Sequence, residues 1–290
     1  MPYPKLSISQ SSTYLATFEE DLKAYAGAGV DGIGIWEYKI PDGQDARLKD
    51  ELLKSGLKPT LCVPKVPSIV PDTFFTSPVD AMERRKALCA AIRRLAAFDP
   101  LGVMVLPGAP GDDPAATRRT VVDGLKAASD AAGEAGVPLG LEPLRQSAGS
   151  IVSTLTDTVG LIEEIGAKNI RIIYDTWHFW DLPDWHAEAT KYVDRMIGVQ
   201  INDWPKNWRS WADRVLPGDG VMDLPYIFGT LEQAGYKGWY DVEVFSDCGL
   251  FGDDFADSLW KIPPAEFAKR SVASFRKVWD QRTTKPTRAA

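Results

Sequence analysis

The sequence predicts an α/β fold, a single (β/α)8 barrel, on three observations. Short apolar runs alternate with longer amphipathic segments about eight times along the 290 residues, and strict alternation requires parallel strands joined by helical crossovers. One such barrel typically takes about 250 residues, which suits this length. No GxGxxG motif follows the first strand, which disfavours an open dinucleotide-binding sheet. We find no linker or composition break, and we expect one domain over residues 1–290.

The predicted strands are short and mostly apolar, as is typical of strands that are buried on both faces of a parallel sheet. They lie at Lys5–Ser9, Gly32–Tyr38, Lys58–Val63, Gly102–Leu106, Pro138–Leu144, Ile170–Tyr174, Met196–Ile201 and Trp239–Phe245. The predicted helices carry apolar residues at helical spacing, and Gly29, Gly56 and Gly235 end three of them. They lie at Phe18–Ala28, Asp45–Ser55, Val79–Phe98, Ala115–Ala135, Ser153–Ile165, Pro183–Tyr192, Asp223–Ala234 and Pro264–Arg282.

Two segments lie outside this regular pattern. The Pro-rich loop from Pro64 to Pro78 is long enough to be a functional loop or lid, and plain irregular surface is the alternative. The tail over residues 283–290 is predicted to be flexible. Ser153 or Thr154 is predicted to cap the helix that follows it.

Composition and charge exclude several classes of protein. The net charge is −7 and the pI is about 5.0. The densest basic pairs, Arg84–Arg85 and Arg93–Arg94, fall within one helical pattern and are typical of a solvated helix face. We therefore expect no nucleic-acid partner. The three cysteines lack CxxC spacing, which indicates reduced thiols in a cytoplasmic protein. No apolar run reaches about 18 residues and no signal peptide is evident, so we expect no membrane segment.

Polar side chains follow the apolar strands at the end where barrel enzymes carry their active sites. The clearest case is the segment IRIIYDTWHFW, in which a buried strand ends at Asp175 and His178 follows. The other polar residues at strand ends or in the following loops are Trp36, Glu37, Lys65, Glu142, Arg145, Gln200, Asn202, Arg214 and Glu243. Three carboxylates and one amide in this set predict an oxygen-rich cage, which suits Mg²⁺ or Mn²⁺ better than Zn²⁺.

These residues also have structural interpretations. A residue such as Glu142 or Asp175 is often only the partner of an ion pair, and Gln200 is compatible with a hydrogen-bonded core amide. His178 is as compatible with a buried structural hydrogen bond as with a binding role. Their joint occurrence at the ends of strands five to eight favours a functional site. His186 lies in a helical stretch and is predicted to be on the surface.

Five motifs carry a resemblance to a known family. They are LGLEPL with Glu142, YDTWH with Asp175 and His178, GVQIND with Gln200, RVLPGDGVMDL from Arg214, and GYKGWYDVEVFS with Glu243. By these motifs the chain resembles the xylose-isomerase-like barrel superfamily, and within it the sugar isomerase/epimerase group that includes D-tagatose 3-epimerase and inosose dehydratase. The resemblance covers most of the chain and is most specific from about residue 138 to 246.

The resemblance implies roles for these residues. Glu142, Asp175 and Glu243 would be ligands of one divalent cation, for which we expect Mn²⁺, with Mg²⁺ or Co²⁺ as alternatives. Glu142 and Glu243 would also face each other across the substrate as acid and base. The residues that would bind the substrate are His178 and Arg214, which would hold its oxygens, together with the strand-end residues Trp36, Arg145 and Asn202.

The sequence departs from the family pattern at three places. Gln200 takes the place of the usual strand-seven histidine ligand. We include it in the metal set, although a neutral amide ligates weakly or not at all. Arg145 stands where relatives often carry a smaller polar residue or histidine. The insertion WPKNWRSWAD contains three tryptophans: Trp204, Trp208 and Trp211. They either stack on a sugar or an aglycone, or they are buried against the barrel rim or a partner subunit.

The implied chemistry is proton abstraction next to a carbonyl, with a metal-stabilised enediolate. Return of the proton from the opposite face epimerises a sugar, and its return to the neighbouring carbon isomerises the sugar. Loss of a β-leaving group would instead make the protein a lyase on a keto-sugar or keto-glycoside, which is the alternative. A nuclease resembling endonuclease IV needs a His-rich zinc cluster, and this chain has two histidines. A metal-free, non-catalytic relative is the remote alternative.

We expect a small, non-phosphorylated sugar as the substrate. The tryptophan content and the family habit favour a dimer or tetramer, or association with another subunit.

Overall fold

The computed structural model describes residues 2–287, and its eight strands close into one barrel, as predicted. Every strand is parallel to its neighbours, each pairs with the next one along the chain, and the last pairs with the first. The strands are β1 (Leu6–Ser9), β2 (Gly32–Trp36), β3 (Lys58–Val63), β4 (Gly102–Val105), β5 (Leu139–Leu141), β6 (Ile170–Asp175), β7 (Met196–Ile201) and β8 (Tyr240–Val242).

The helices connect the strands around the outside of the barrel. They are α1 (Phe18–Ala28), α2 (Asp45–Ser55), α3 (Ala81–Ala96), α4 (Pro114–Glu134), α5 (Leu155–Ile165), α6 (Thr176–Phe179), α7 (Trp185–Tyr192), α8 (Leu224–Gln233) and α9 (Pro264–Asp280). All eight predicted helices are present, and α6 is an additional single turn directly after β6. Gly29 ends α1 in the left-handed conformation, and the Thr154 side chain caps α5 by accepting the Asp157 N–H.

The barrel interior has its own apolar cluster, separate from the larger core between the strands and the helices. Leu61, Met104 and Ile173 belong to this inner cluster. Gly140 on β5 permits the packing, because a Cβ atom at that position would lie 2.6 Å from Ile173 Cδ1. The outer face of the strands packs on the helices, as where the rings of Tyr240 and Phe228 lie 5.1 Å apart. The strands are therefore buried on both faces, which explains their continuous apolar sequences.

Four strands, β2, β4, β5 and β8, end earlier than predicted, and at β5 and β8 this affects the site. The last residues of β5 and β8 are Leu141 and Val242, so Glu142 and Glu243 each follow a strand by one residue. The backbone N–H of Glu142 still donates to Val105 O at 3.0 Å, and that of Glu243 donates to Ile201 O at 3.0 Å. Neighbouring strands therefore fix both residues although regular pairing has ended.

The segment after α9 contacts α8, since the Thr283 N–H donates to Pro225 O at 3.0 Å. Residues 288–290 of the predicted tail lie outside the described residues, and both the flexibility of the tail and the single-domain organisation stay predictions. Across residues 2–287, no helix combines the length and the apolarity that a membrane span requires. All three cysteines are free thiols.

Candidate active site

The loops at the carboxyl ends of the strands enclose a cavity of about 270 Å³. Five of the ionisable strand-end residues line it. Four of them are buried, Glu142, His178, Arg214 and Glu243, and Lys65 is exposed. Most of the other lining residues are aromatic or aliphatic. A mostly apolar cavity with a few convergent polar groups is the usual form of a small-molecule site.

Glu142 and Glu243 are carboxyl groups in an apolar environment close to other carboxylates. Burial, followed by the charge of Asp175, raises the pKa of Glu142 well above its usual range. Burial, followed by the charges of Glu142 and Asp175, raises the pKa of Glu243 in the same direction. Repulsion among these groups favours a state in which one of the two glutamates is protonated near neutral pH. The pair therefore supplies a proton donor and a proton acceptor in one cavity.

A short hydrogen-bond chain orients Glu243. Trp36 Nε1 donates to Ser9 Oγ at 2.8 Å, and Ser9 Oγ donates to Glu243 Oε1 at 3.3 Å. Because the indole N–H fills one lone pair of the hydroxyl, the hydroxyl proton is available to the carboxylate. Ser9 was not among the predicted site residues, because a serine at a strand end gives no signal that separates it from an ordinary core hydroxyl.

His178 is held as a neutral hydrogen-bond donor. The Arg145 backbone N–H donates to His178 Nδ1 at 2.9 Å, so the proton of the neutral ring is on Nε2. This Nε2 lies 3.5 Å from Glu142 Oε1 and 3.9 Å from Asp175 Oδ2. Burial lowers the pKa of His178 to about 3, so the ring stays neutral. His178 can therefore donate to a substrate oxygen, and its Nε2 could ligate a metal ion only after losing that proton.

Asp175 is surrounded by hydrogen-bond donors. Its Oδ1 accepts from the Trp177 N–H at 2.9 Å and from Asn202 Nδ2 at 3.0 Å, and its Oδ2 lies 3.1 Å from Arg214 Nη1. The Arg214 guanidinium lies over the rings of Trp177 and Phe245, at 4.3 and 4.9 Å from their centroids. These contacts fix both charged groups, and they place the guanidinium in the cavity wall.

Glu142, Asp175 and His178 each bring a ligand-type atom within 4.8 Å of the others, a spacing that could hold a metal ion. Gln200 adds a second observation, because it is fully buried and neither atom of its amide group has a hydrogen-bond partner within residues 2–287. A buried amide without a partner costs free energy unless another group coordinates it. Gln200 is also the register partner of Asp175. The oxygens of Glu142, Asp175 and Gln200 therefore fit a hard divalent cation.

The other predicted residues lie at different places relative to the cavity. Trp36 lines it, and its role in substrate binding stays a prediction. Asn202 is fully buried and holds Asp175 through its amide nitrogen. Arg145 contacts the site through its backbone, since its guanidinium pairs with Asp181 at 2.6 Å in a neighbouring groove. The role of Arg145 in the site is thus to position His178, and its side chain is directed elsewhere.

The tryptophans of the insertion separate into different environments. Trp211 lines the cavity. Trp204 is buried, with its ring 5.5 Å from that of Trp177, as the barrel-rim interpretation predicts. Trp208 is 58% exposed. Only the position of Trp211, among the three, is compatible with contact to a ligand in this cavity.

Aromatic residues that the sequence analysis did not identify complete the cavity wall. The Pro-rich loop contributes Phe74 and Phe75, which supports its functional interpretation over plain irregular surface. The others are Tyr14, Tyr38, Phe245 and Phe251. Tyr38 directly follows Glu37, and Phe245 lies two residues after Glu243. Their positions close to these strand-end glutamates were the sequence signal that could have identified them.

The chain is similar to proteins of known activity and to solved structures. The chain is 27% identical over 242 residues to a 2-oxo-tetronate isomerase from Cupriavidus necator, a match that covers 77% of this chain and 86% of that protein. It is 28% identical over 142 residues to an inosose dehydratase from Geobacillus thermodenitrificans. That match covers 44% of this chain and 47%, about half, of the dehydratase. A crystal structure of a Sinorhizobium meliloti protein superposes with a TM-score of 0.79 at 27% identity, covering 94% of this chain and 98% of that one.

The family model described as xylose isomerase-like TIM barrel matches residues 22–278, nearly the whole chain. This confirms the resemblance that the motifs around Glu142, Asp175 and Glu243 predict. The relatives include isomerases, an epimerase and dehydratases. The chain therefore belongs to the xylose isomerase-like TIM barrel family.

Proposed function

We propose that the protein is a divalent-metal-dependent isomerase or epimerase of a keto-sugar, and that it acts by proton transfer at a carbon next to a carbonyl. The observation that carries this proposal is the pair Glu142 and Glu243. Both are buried, both line one cavity, and burial together with neighbouring carboxylates raises the pKa of both. Two carboxyl groups in one water-poor cavity can take a proton from the substrate and return one to it, as the reaction requires.

Each polar side chain then has a defined task. The ionised member of the pair Glu142 and Glu243 removes the proton from the carbon, and the other member returns a proton. Return to the same carbon from the opposite face gives the epimer, and return to the neighbouring carbon gives the isomer. His178 Nε2 and the Arg214 guanidinium donate to substrate oxygens and hold the carbonyl in place. The apolar walls exclude bulk water from the carbon that loses its proton.

Glu142, Asp175, Gln200 and Glu243 would hold the cation, which when bound makes the C–H next to the carbonyl more acidic. We propose Mn²⁺, with Mg²⁺ or Co²⁺ as alternatives, because these four residues offer oxygen ligands. His178 stays outside the ligand set, since its Nε2 carries a proton.

Elimination by the same groups is the second candidate, and the 28% identity to an inosose dehydratase favours it. In that reaction the protonated glutamate would donate its proton to a leaving group on the β-carbon while the bond to that group breaks. The isomerase match extends over 242 residues and the dehydratase match over 142, so we place isomerisation first.

Solvent deuterium exchange tests the proposal. The Mn²⁺-loaded protein is incubated in D₂O with a panel of unphosphorylated ketoses, and mass spectrometry follows the carbon next to the carbonyl. We expect deuterium at that carbon and a rearranged sugar, whereas a dehydrated product would support elimination. EDTA should abolish the exchange and Mn²⁺ should restore it. Exchange no faster than in a protein-free control, across the panel, would contradict the proposal.

A further inference from the structure

Six aromatic side chains form a closed ring in the cavity wall, which we call the aromatic collar. In order around the ring they are Tyr14, Tyr38, Trp36, Phe245, Trp211 and Phe251. Each ring contacts the next and the last contacts the first, with centroid separations from 4.8 to 5.9 Å. The collar shares the cavity with Glu142 and Glu243, so a group that occupies it belongs to the reacting molecule.

The collar is a poor environment for a polyhydroxylated group. Apart from the reacting groups, four side chains of the lining can pair with hydroxyls: the Lys65 ammonium, the Trp211 indole N–H and the hydroxyls of Tyr14 and Tyr38, the last of which has no partner within residues 2–287. These are few for a group that carries several hydroxyls. A sugar ring can stack on one aromatic face, but its hydroxyls project outward around the ring and would meet aromatic carbon inside the collar. Buried hydroxyls without partners cost free energy. A flat apolar group has no such cost, and it gains edge-to-face and offset contacts.

The collar is held rigidly from behind. Buried Trp260 stacks on Tyr14 at 4.8 Å and also contacts Phe245 and Phe251, at 6.1 and 5.8 Å. The Asp247 carboxylate accepts the backbone N–H of Phe251 and of three further residues in the same loop. Rings fixed in this way lose little conformational entropy when a ligand binds.

The charges in the lining favour a neutral aromatic group over a cationic one. Aromatic cages also bind quaternary ammonium groups. Here the Arg214 guanidinium already covers one face of Phe245, and Lys65 adds a second positive charge to the same cavity. These two charges repel a cation and offset the attraction of the ionised glutamate in the same cavity, whereas a neutral aryl ring needs no such balance.

We propose, on the basis of the proposed function, that the substrate is an aryl-substituted hydroxy-ketone. In this class a keto-sugar or short keto-polyol carries an aromatic ring near the reacting carbons. The collar holds the ring while Glu142 and Glu243 act on the carbon next to the carbonyl. Trp211 is the main specificity-determining residue, because its ring contacts both Phe245 and Phe251 and separates the cavity from the neighbouring groove.

Calorimetric titration of the Mg²⁺-loaded protein tests the proposal with three ketones: dihydroxyacetone, its phenyl ether and its cyclohexyl ether. We expect the phenyl ether to bind at least about tenfold more tightly than dihydroxyacetone and roughly threefold more tightly than the cyclohexyl ether. Trp211→Leu should weaken binding of the phenyl ether about tenfold. Trp208→Leu, on the same loop but outside the collar, is the matched control and should change the affinity less than about twofold.

Equal affinities for dihydroxyacetone and the phenyl ether, or an equal loss in the two tryptophan variants, would overturn the proposal. If Trp211→Leu does not fold, Phe251→Leu takes its place, since Phe251 is 44% exposed and contributes little to the core. Deuterium exchange separates this proposal from the proposed function. Exchange into dihydroxyacetone without tighter binding of the phenyl ether rejects the aryl site alone, and tight binding without exchange into either ketone rejects the proposed function alone.

Discussion

Gln200 lies on β7, and its amide group has no hydrogen-bond partner within residues 2–287. A neutral amide oxygen is a weaker ligand for transition metals than an imidazole nitrogen. We therefore expect the affinity of the proposed cation site to depend on this one side chain.

Replacing Gln200 with histidine should tighten Mn²⁺ binding by about tenfold or more, which corresponds to ~1.4 kcal/mol. Competition with a chromogenic chelator measures the change. Gln281→His, at an exposed position just after α9, controls for non-specific binding by an added histidine. Unchanged affinity in Gln200→His would mean that the side chain at this position does not ligate the ion.

The carboxylates of the site could be predicted from the sequence, but the ring nitrogen of His178 that carries the proton could not. Glu142, Asp175 and Glu243 each follow an apolar run, and the strand ends of a barrel meet at one face. The proton position on His178, in contrast, depends on the backbone N–H of Arg145, which lies 33 residues earlier in the chain. No local pattern in the sequence reports a contact of that kind.

Three buried aspartates hold the loops at the site, which the alternation of strands and helices does not predict. Asp72 accepts the backbone N–H groups of Phe74 and Phe75, at 2.8 and 2.9 Å, in the loop between β3 and α3. Asp203 accepts four backbone N–H groups in and around the loop between β7 and α8. Asp247 likewise accepts four backbone N–H groups in the loop after β8. Side-chain carboxylates thus replace regular pairing, and they fix the aromatic residues of the cavity wall.

A buried ion pair joins the segment after β2 to α1, and it also holds the loop after β1, since Lys39 Nζ donates to Thr13 O at 2.8 Å. Lys39 Nζ lies 2.8 Å from Asp21 Oδ2 on α1, and both side chains are almost fully buried. Burial raises the pKa of Asp21 to about 6, and burial also lowers the pKa of Lys39. The cost of removing the two charges from water therefore exceeds their mutual attraction.

Lys39→Met should destabilise the protein more at pH 8 than at pH 5. Without the ammonium group the folded pKa of Asp21 rises above about 6, while the unfolded value stays near 3.8. A carboxyl with a raised folded pKa contributes stability below its unfolded pKa, and that contribution is lost as the pH rises through the folded pKa. We expect a loss of about 3 kcal/mol at pH 8 and a smaller loss at pH 5, measured by urea denaturation.

The control for this experiment is Arg47→Met, which breaks the exposed pair between Arg47 and Glu19. It should cost less than about 1 kcal/mol at either pH, because exposed pairs contribute little. Equal losses in Lys39→Met at the two pH values would show that Asp21 does not respond to the missing charge.

Closure of the whole barrel assembles the site. Glu142 follows β5 and Glu243 follows β8, while Ser9, which orients Glu243, ends β1. The pairing of β1 with β8 brings the two ends of the chain together. Because the fold class was predictable from alternation and length, the meeting of the strand ends was predictable too. The collar was not, since loops without periodic sequence supply most of its rings.

Cation binding should stabilise the whole molecule, because only the folded chain brings the ligands together. A free ion concentration of about 100 times Kd adds ~2.7 kcal/mol to the free energy of unfolding. For a chain of this size we expect a rise in Tm of about 5 °C or more, measured by scanning calorimetry with Mn²⁺ and with EDTA. Asp175→Asn should reduce the rise. A Tm that is the same in millimolar Mn²⁺ and in EDTA would argue against a cation site.

The most direct test is the rate of deuterium incorporation from D₂O into a ketose substrate by Glu243→Gln, compared with the wild-type protein. We predict a fall of at least about 10²-fold, because the variant keeps the shape of the side chain but cannot transfer a proton. Asp241→Asn is the matched control, since Asp241 is a buried carboxyl on β8, two residues before Glu243, that does not line the cavity, and it should retain exchange. Wild-type exchange by a folded Glu243→Gln protein would contradict proton transfer by the Glu142–Glu243 pair.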